Sequence, residues 1–252
     1  VFSRDHAVSV FLNRNLDSLG GNFLKEELSK RFALDLNRVN FIKAPVGRGS
    51  SFFERLFFLK NYDTLFYLTD GSIFFPTAKK NILHIQSPLA GQPAKNIWGK
   101  VKLKGWDLII YNSIFTKKHS EKNWPIKSEV IYPPVDVDKI KSVKKKKYIL
   151  SVGRFFGYLK DKKQAVLIKL FKQLYIKRKL SGWSLNLAGA ASEGDISYLQ
   201  ELKKSSDGYP VNFYPNIEYD KLVKLYGESA IYWHAAGFGE DDPAKMEHFG
   251  IS

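Results

Sequence analysis

Ile131-Tyr132-Pro133-Pro134-Val135-Asp136-Val137-Asp138 divides the chain in two. Two adjacent prolines follow an apolar, strand-like run. Neither a helix nor a central ladder continues through them, because each ring removes a backbone donor and fixes φ. On both sides the pattern is the same: short apolar runs alternate with stretches of helical length, the signature of α/β layers with parallel sheets. Before the prolines, residues 8–12, 39–43, 64–68, 81–85, 108–111 and 129–132 read as strands, with helices around 22–31, 52–61, 95–102 and 116–123. After them, strand 148–152 leads to a helix over 162–179, where Leu167, Leu170, Phe171 and Leu174 fall on one face. Strand 184–188, helix 196–205, strand 211–214, helix 219–228 and strand 230–234 complete the series. Two α/β domains meeting near residues 133–146 are expected to enclose a cleft between the strand ends of their sheets, where doubly wound folds bind ligands.

A length of 252 residues fits one large domain or two ordinary ones, so the proline break decides. With 44% hydrophobic residues, 19 Phe and 13 Tyr, the chain can fill a core, which excludes a disordered class. No apolar run approaches the ~20 residues of a membrane span. The opening Val1-Phe2-Ser3-Arg4-Asp5-His6 has no signal-peptide pattern and no initiator Met, so the start reads as cut. The lack of Cys removes disulfides and thiolate metal sites, and a cytoplasmic protein fits all of this. The formal charge of +15, from 40 Lys and Arg against 25 Asp and Glu, favours a polyanionic partner or marks a surface of solvated lysines. Lys144-Lys145-Lys146-Lys147 precedes an apolar strand and reads as a solvated linker end. No nucleic-acid-binding signature accompanies it, so no nucleic acid partner is expected, whereas an anionic membrane surface is.

Four segments carry the chemistry. In Ser151-Val152-Gly153-Arg154-Phe155-Phe156, Gly153 lets the chain turn off a strand tip and Arg154 arrives at the carboxyl end of the sheet. An Arg and a Lys converging there would clamp a diphosphate, the guanidinium as a planar fork and the ammonium as a point charge. Lys160 and Lys163 read instead as solvated loop cations. Tyr214-Pro215-Asn216-Ile217 is either a shelf for a flat ring or an ordinary strand-to-helix turn. His234, at a strand tip beside Ala235-Ala236-Gly237, is placed for a cleft role, against the alternative of a core imidazole. Last, Glu247-His248-Phe249-Gly250-Ile251-Ser252 puts a carboxylate before a Gly-containing turn that opens a helix, suited to sugar hydroxyls and, through free N–H groups, to phosphate.

Together these segments resemble a retaining glycosyltransferase of the large group 1 family with the two-domain GT-B fold. The Glu-His-Phe-Gly-Ile form and the Tyr132-Pro133-Pro134 linker are similar to mannosyltransferases that extend lipid-linked oligosaccharides and to bacterial surface-polysaccharide relatives. Tyr111-Asn112-Ser113-Ile114-Phe115-Thr116 matches the family's last N-domain strand. The resemblance covers nearly the whole chain, with its motifs concentrated in the second half. It implies an acceptor-side Rossmann-like domain over 1–138 lacking its first strand, and a truncated nucleotide-sugar-binding domain over 139–252.

Carried over residue by residue, it implies that Arg154 and Lys162 hold the donor diphosphate, Lys162 because Ala165-Val166-Leu167 behind it aligns with the family's helix. Glu247 is the catalytic residue and binds the donor hexose. The backbone of Phe249-Gly250-Ile251-Ser252 meets sugar and phosphate, and Gly153, Asn216, Ile217 and His234 complete the donor site. Gly20-Gly21 does not replace the family's N-terminal Gly-Gly loop. Gln86, before Ser87-Pro88, stands where relatives often carry a His, with His84 one strand step away. A second Glu expected eight positions after Glu247 lies past Ser252, so this piece is expected to be weak or inactive alone.

The activity implied is transfer of a hexose, mannose among the candidates, from a nucleotide diphosphate sugar to a glycan or lipid-linked acceptor with retention. No metal and no cofactor beyond the donor is required. Two other readings stay open: a non-catalytic basic binding module for nucleic acid or anionic surfaces, and a sugar-nucleotide epimerase of similar architecture.

Overall fold

The computed structural model describes residues 2–250 apart from 33, 48, 90, 92, 94, 95 and 136. The expected donor contacts of Ile251 and Ser252, and the expected helix start at Lys95, lie outside the described residues. The chain separates into two compact units, Val1–Pro133 and Pro134–Ser252, divided between the two prolines.

In the first unit β1 (Val8–Leu12) and β2 (Val39–Lys43) pair in parallel. Four further parallel strands, β3 (Thr64–Leu68), β4 (Lys80–Ile85), β5 (Leu108–Tyr111) and β6 (Ser128–Val130), lie side by side in chain order. Helices α1 (Arg14–Asp17), α2 (Gly21–Phe32), α3 (Phe52–Leu59), α4 (Ile97–Lys104) and α5 (Ile114–Ser120) connect them. The core sits under the central strands: Leu83, Ile85, Ile109 and Tyr111 are fully buried and pack with Leu59, Trp106 and Trp124. Each of the Leu and Ile side chains contributes about 1.5–3 kcal/mol by leaving water. The last strand stops at Val130, short of the expected 132; Ile131 N still donates to Tyr111 O at 3.0 Å, and the prolines end the ladder.

The second unit holds β7 (Lys146–Val152), β8 (Ser184–Gly189), β9 (Val211–Pro215) and β10 (Ser229–Tyr232), all parallel, in spatial order β10-β7-β8-β9. The period-2 alternation of β7 sends Ile149 to one face and Leu150 to the other. Ile149 joins Leu185, Leu187 and the buried faces of α6 (Gln164–Ile176) and α7 (Ile196–Ser205). Leu150 joins Ala188 and Leu225, the latter on α8 (Tyr219–Glu228). Helices therefore cover both faces, which makes this a doubly wound α/β unit.

Helix α6 is shorter than its apolar pattern suggests. Lys160 and Lys163 take left-handed φ values of 50° and 53°, so the helix begins at Gln164, and Arg178 at φ 55° follows its end. Its buried stripe is Gln164, Leu167, Ile168 and Phe171; Leu170, expected on that face, is exposed, since i, i+3, i+4, i+7 counted from Gln164 excludes it.

Candidate functional site

β7 is the first strand of the second unit, yet it lies between β8 and β10. The chain leaves it toward one side through α6 and returns on the other through α8. Loops from neighbouring carboxyl ends thus diverge and leave a crevice at the tips of β7 and β10. The tips are stitched: Gly153 N donates to Ala188 O and Trp233 N to Leu150 O, each at 2.8 Å. A Cβ at Gly189 would lie 2.1 Å from Gly153 O, so only glycine allows this approach.

The loop after β7 is fixed from beneath. Gln164, 3% exposed, donates through Nε2 to Gly153 O (3.3 Å) and Arg154 O (3.1 Å), while its Oε1 accepts from Tyr198 OH (3.2 Å). Asp195 accepts from Ser192 Oγ (2.6 Å), Ser192 N (2.9 Å) and Gly157 N (3.0 Å). These hydrogen bonds, led by the Ser192 hydroxyl, hold its carboxyl below the usual range.

At the crevice three side chains converge. Glu247 Oε2 accepts from Lys162 Nζ at 3.1 Å and lies 3.2 Å from His234 Nε2, while Oε1 accepts from Gly250 N at 3.2 Å. Burial works to raise the Glu247 pKa, but the Lys162 hydrogen bond and charge, the His234 charge and the Gly250 N–H outweigh it, and the carboxyl ends below its ordinary value. A second pair lies alongside: Lys163 Nζ with Glu240 Oε1. That hydrogen bond is the main reason the Glu240 pKa is lowered. Gly237, at φ +82°, lets the chain after His234 fold back, and a Cβ there would stand 3.0 Å from Met246 Cα. Between the loops lies a cavity of about 260 Å³, lined by Leu159, Asp161, Lys162 and Lys163 on one side and by Ala236, Glu240 and residues 244–248 on the other. Asp161 Oδ1, on its wall, is buried without a hydrogen-bond partner among the described residues. A larger open depression of about 420 Å³ flanks β9 and the turn entering it, at the opposite end of the strand from these loops.

The fold thus brings Lys162, His234, Glu247 and Gly250 together. Gly153 is part of the same floor, since a Cβ there would meet Lys162 Cγ at 2.7 Å. Arg154 is exposed, with its guanidinium 4.0 Å from the Phe156 ring centroid. Asn216, at φ 52°, spends its amide on Ala191: Oδ1 accepts from Ala191 N (3.0 Å) and Nδ2 donates to Ala191 O (2.9 Å). Ile217 packs on the Leu150–Ala188–Leu225 cluster, and Phe249 is half-buried beside Glu247 in the chain. His84, on β4, packs its ring against Phe66 at 5.3 Å; burial lowers its pKa. Gln86 is exposed, and its carbonyl accepts from Asn112 Nδ2 at 2.9 Å.

Lys163 reads in the sequence as a solvated loop cation, and Glu240 and Gln164 carry no site signal there. Glu240 opens the acidic run Glu240-Asp241-Asp242, and Lys163 belongs to a cationic one; each reads as solvated. Lys160 fits that reading, exposed and paired with Glu201 at 3.2 Å, but Lys163 turns inward. Among the described residues no group of three or more His, Asp or Glu is gathered as a metal site would need.

Residues 134–252 match the family described as glycosyl transferases group 1. No curated protein matches the chain. Among solved structures, OtsA in its apo form is similar over 86% of this chain and 74% of its own, at 8% identity and a TM-score of 0.50, which shows the fold. An α,α-trehalose-phosphate synthase (UDP-forming) from Burkholderia vietnamiensis is similar at 11% identity and a TM-score of 0.42, over 62% of this chain. An α-glucosyltransferase in complex with UDP and a 13-mer DNA is similar at 13% identity and a TM-score of 0.47, over 90% of this chain and 71% of its own. The chain spans just under half, 47%, of the Burkholderia synthase's length.

Proposed function

We propose, from the premise that residues 134–252 belong to the group 1 glycosyltransferases, that this segment is the nucleotide-sugar half of an enzyme that transfers a hexose, with retention, to a glycan or lipid-linked acceptor. The observation that carries the reading is the convergence of Lys162, His234 and Glu247 at the tips of β7 and β10. There Lys162 is held by a carboxylate that a donor would replace. Its ammonium moves from Glu247 to the diphosphate, and the released Glu247 oxygens accept from sugar hydroxyls. Arg154, its guanidinium over the Phe156 ring, adds a forked contact to phosphate. In the transfer step the bond from the anomeric carbon to the β-phosphate oxygen breaks. The acceptor hydroxyl forms the new bond on the same face, and its proton leaves with the departing phosphate. Lys162 and Arg154 offset the charge that develops there. Mannose is the first hexose to try, on the Glu-His-Phe-Gly-Ile pattern.

Calorimetry with UDP, GDP and their sugar conjugates tests this directly. A nucleotide diphosphate sugar should bind, and Glu247→Gln should weaken the sugar conjugate more than the free diphosphate, whereas Lys162→Met weakens both. Failure of every conjugate to bind at millimolar concentration, with salt-dependent binding to any polyanion instead, would replace the proposal by that of a basic binding module.

A further inference from the structure

Two helices of the first unit turn apolar side chains outward. On α4 the buried positions are Gly99 and Leu103, while Ile97, Trp98 and Val101 are 73%, 67% and 46% exposed. On α3, Phe53 and Phe57, one turn apart, are 67% and 69% exposed. A run of contacts leads from α3 to α4: the Phe53 ring meets Phe52 (centroids 5.4 Å apart), Phe52 meets Phe75 (5.8 Å), and Lys102 Nζ on α4 lies 5.7 Å from the Phe75 centroid. Scattered apolar residues on a surface are ordinary, but a linked aromatic patch is an interaction site. It is also one-signed. Lys60 follows α3, Lys100, Lys102 and Lys104 lie on α4, and Glu54 is the acidic residue of the two helices. Among the described residues, Lys60, Lys100 and Lys104 make no ion pair.

We propose that this face docks on the surface of an anionic phospholipid bilayer. Trp98, Ile97, Phe53 and Phe57 enter the boundary between headgroups and acyl chains, and the lysines meet lipid phosphates. Trp is favoured at that boundary, and lysine stems lie along apolar surface while their ammonium groups stay in water. Basic side chains close to the surface add attraction that neutral lipid does not supply. A second copy is a poor occupant, because a twofold contact sets these lysines against the same lysines with one glutamate on each side. No helix among the described residues is long and apolar enough to cross a membrane, so the contact is peripheral. The proposal does not depend on the transfer reaction.

The test floats the 252-residue chain with vesicles of phosphatidylcholine alone, and of phosphatidylcholine and phosphatidylglycerol at two to one, in physiological salt. Binding is expected to the anionic vesicles, with a blue shift of tryptophan emission, since Trp98 is the exposed one of the five. Brominated acyl chains should quench that emission, a readout that needs no variant. Lys100→Glu/Lys102→Glu/Lys104→Glu and Phe57→Ser/Trp98→Ala should each lose roughly tenfold or more in binding while melting as the wild type does. The triple variant Lys144→Glu/Lys177→Glu/Lys179→Glu, with the same change in net charge elsewhere, should bind within about twofold of wild type. The proposal is overturned by equal binding to both vesicles, by no binding, or by an equal loss in the control triple. A dimer that Phe57→Ser/Trp98→Ala dissociates would assign the face to a second copy.

Discussion

Glu247 shows how one side chain carries both stability and chemistry. Its carboxylate is depressed in the folded state, so the stability it contributes is fully present above its ordinary pKa of 4.5 and is lost as pH falls through the lower folded value. The stability difference between wild type and Glu247→Gln should shrink as pH falls below about 4.5. Urea midpoints measured across that range check it; a difference that stays flat to low pH removes the ion pair with Lys162. Arg154 is a different case, exposed but braced on Phe156, so less freedom is lost when it grips an anion. Arg154→Ala should weaken nucleoside diphosphate binding by about 2–3 kcal/mol, and unchanged calorimetric affinity takes Arg154 out of the site. Beneath both, Gln164→Leu leaves two loop carbonyls and a buried tyrosine hydroxyl without their partner. A loss of about 2–3 kcal/mol in chemical denaturation is expected.

At the scale of elements, the site depends on how closely strand tips approach. β7 and β8 come together through the backbone of Gly153 and Gly189, and there is no space at Gly189 for another atom. Gly189→Ala should cost about 3 kcal/mol, because the clash is with backbone rather than with a flexible side chain. A melting temperature within a degree of wild type would contradict that packing. Most strands and helices were legible before the fold, since alternation of period 2 and stripes of period 3.6 are written locally. The ends were less so. α6 was read two residues early and three late because nothing in a run of lysines announces that Lys163 and Arg178 adopt left-handed backbone. β10 was read through His234, yet the strand stops at Tyr232 after a register shift, which frees His234 to turn toward Glu247.

On the scale of the molecule, two units each carry their own core. Domains with separate cores unfold as separate cooperative steps unless their contact is large and apolar. Urea unfolding should therefore show two transitions, and a nucleoside diphosphate should raise only the one belonging to residues 134–252, by mass action on its folded state. Tryptophans in both units, among them Trp106 and Trp124 in the first and Trp183 and Trp233 in the second, let fluorescence of single-Trp variants assign each step. A single transition, or a ligand shift of the first unit, would refute the assignment.

The sequence by itself determined the α/β class and the positions of the strands, and marked residues 131–138 as a break, because proline geometry and hydrophobic period act within a few residues of the chain. It also placed Lys162, His234 and Glu247 at the ends of elements, where side chains meet ligands. Only the tertiary structure decided their pairing. Lys162 and Glu247 stand 85 residues apart. They meet because the crossover reverses at β7 and because Gly237 folds the segment back against Met246. The inward turn of Lys163 to Glu240 and the clamp of Gln164 on the Gly153 loop were invisible for the same reason. Such contacts follow from where distant backbone segments come to lie, and no local pattern of residues encodes that.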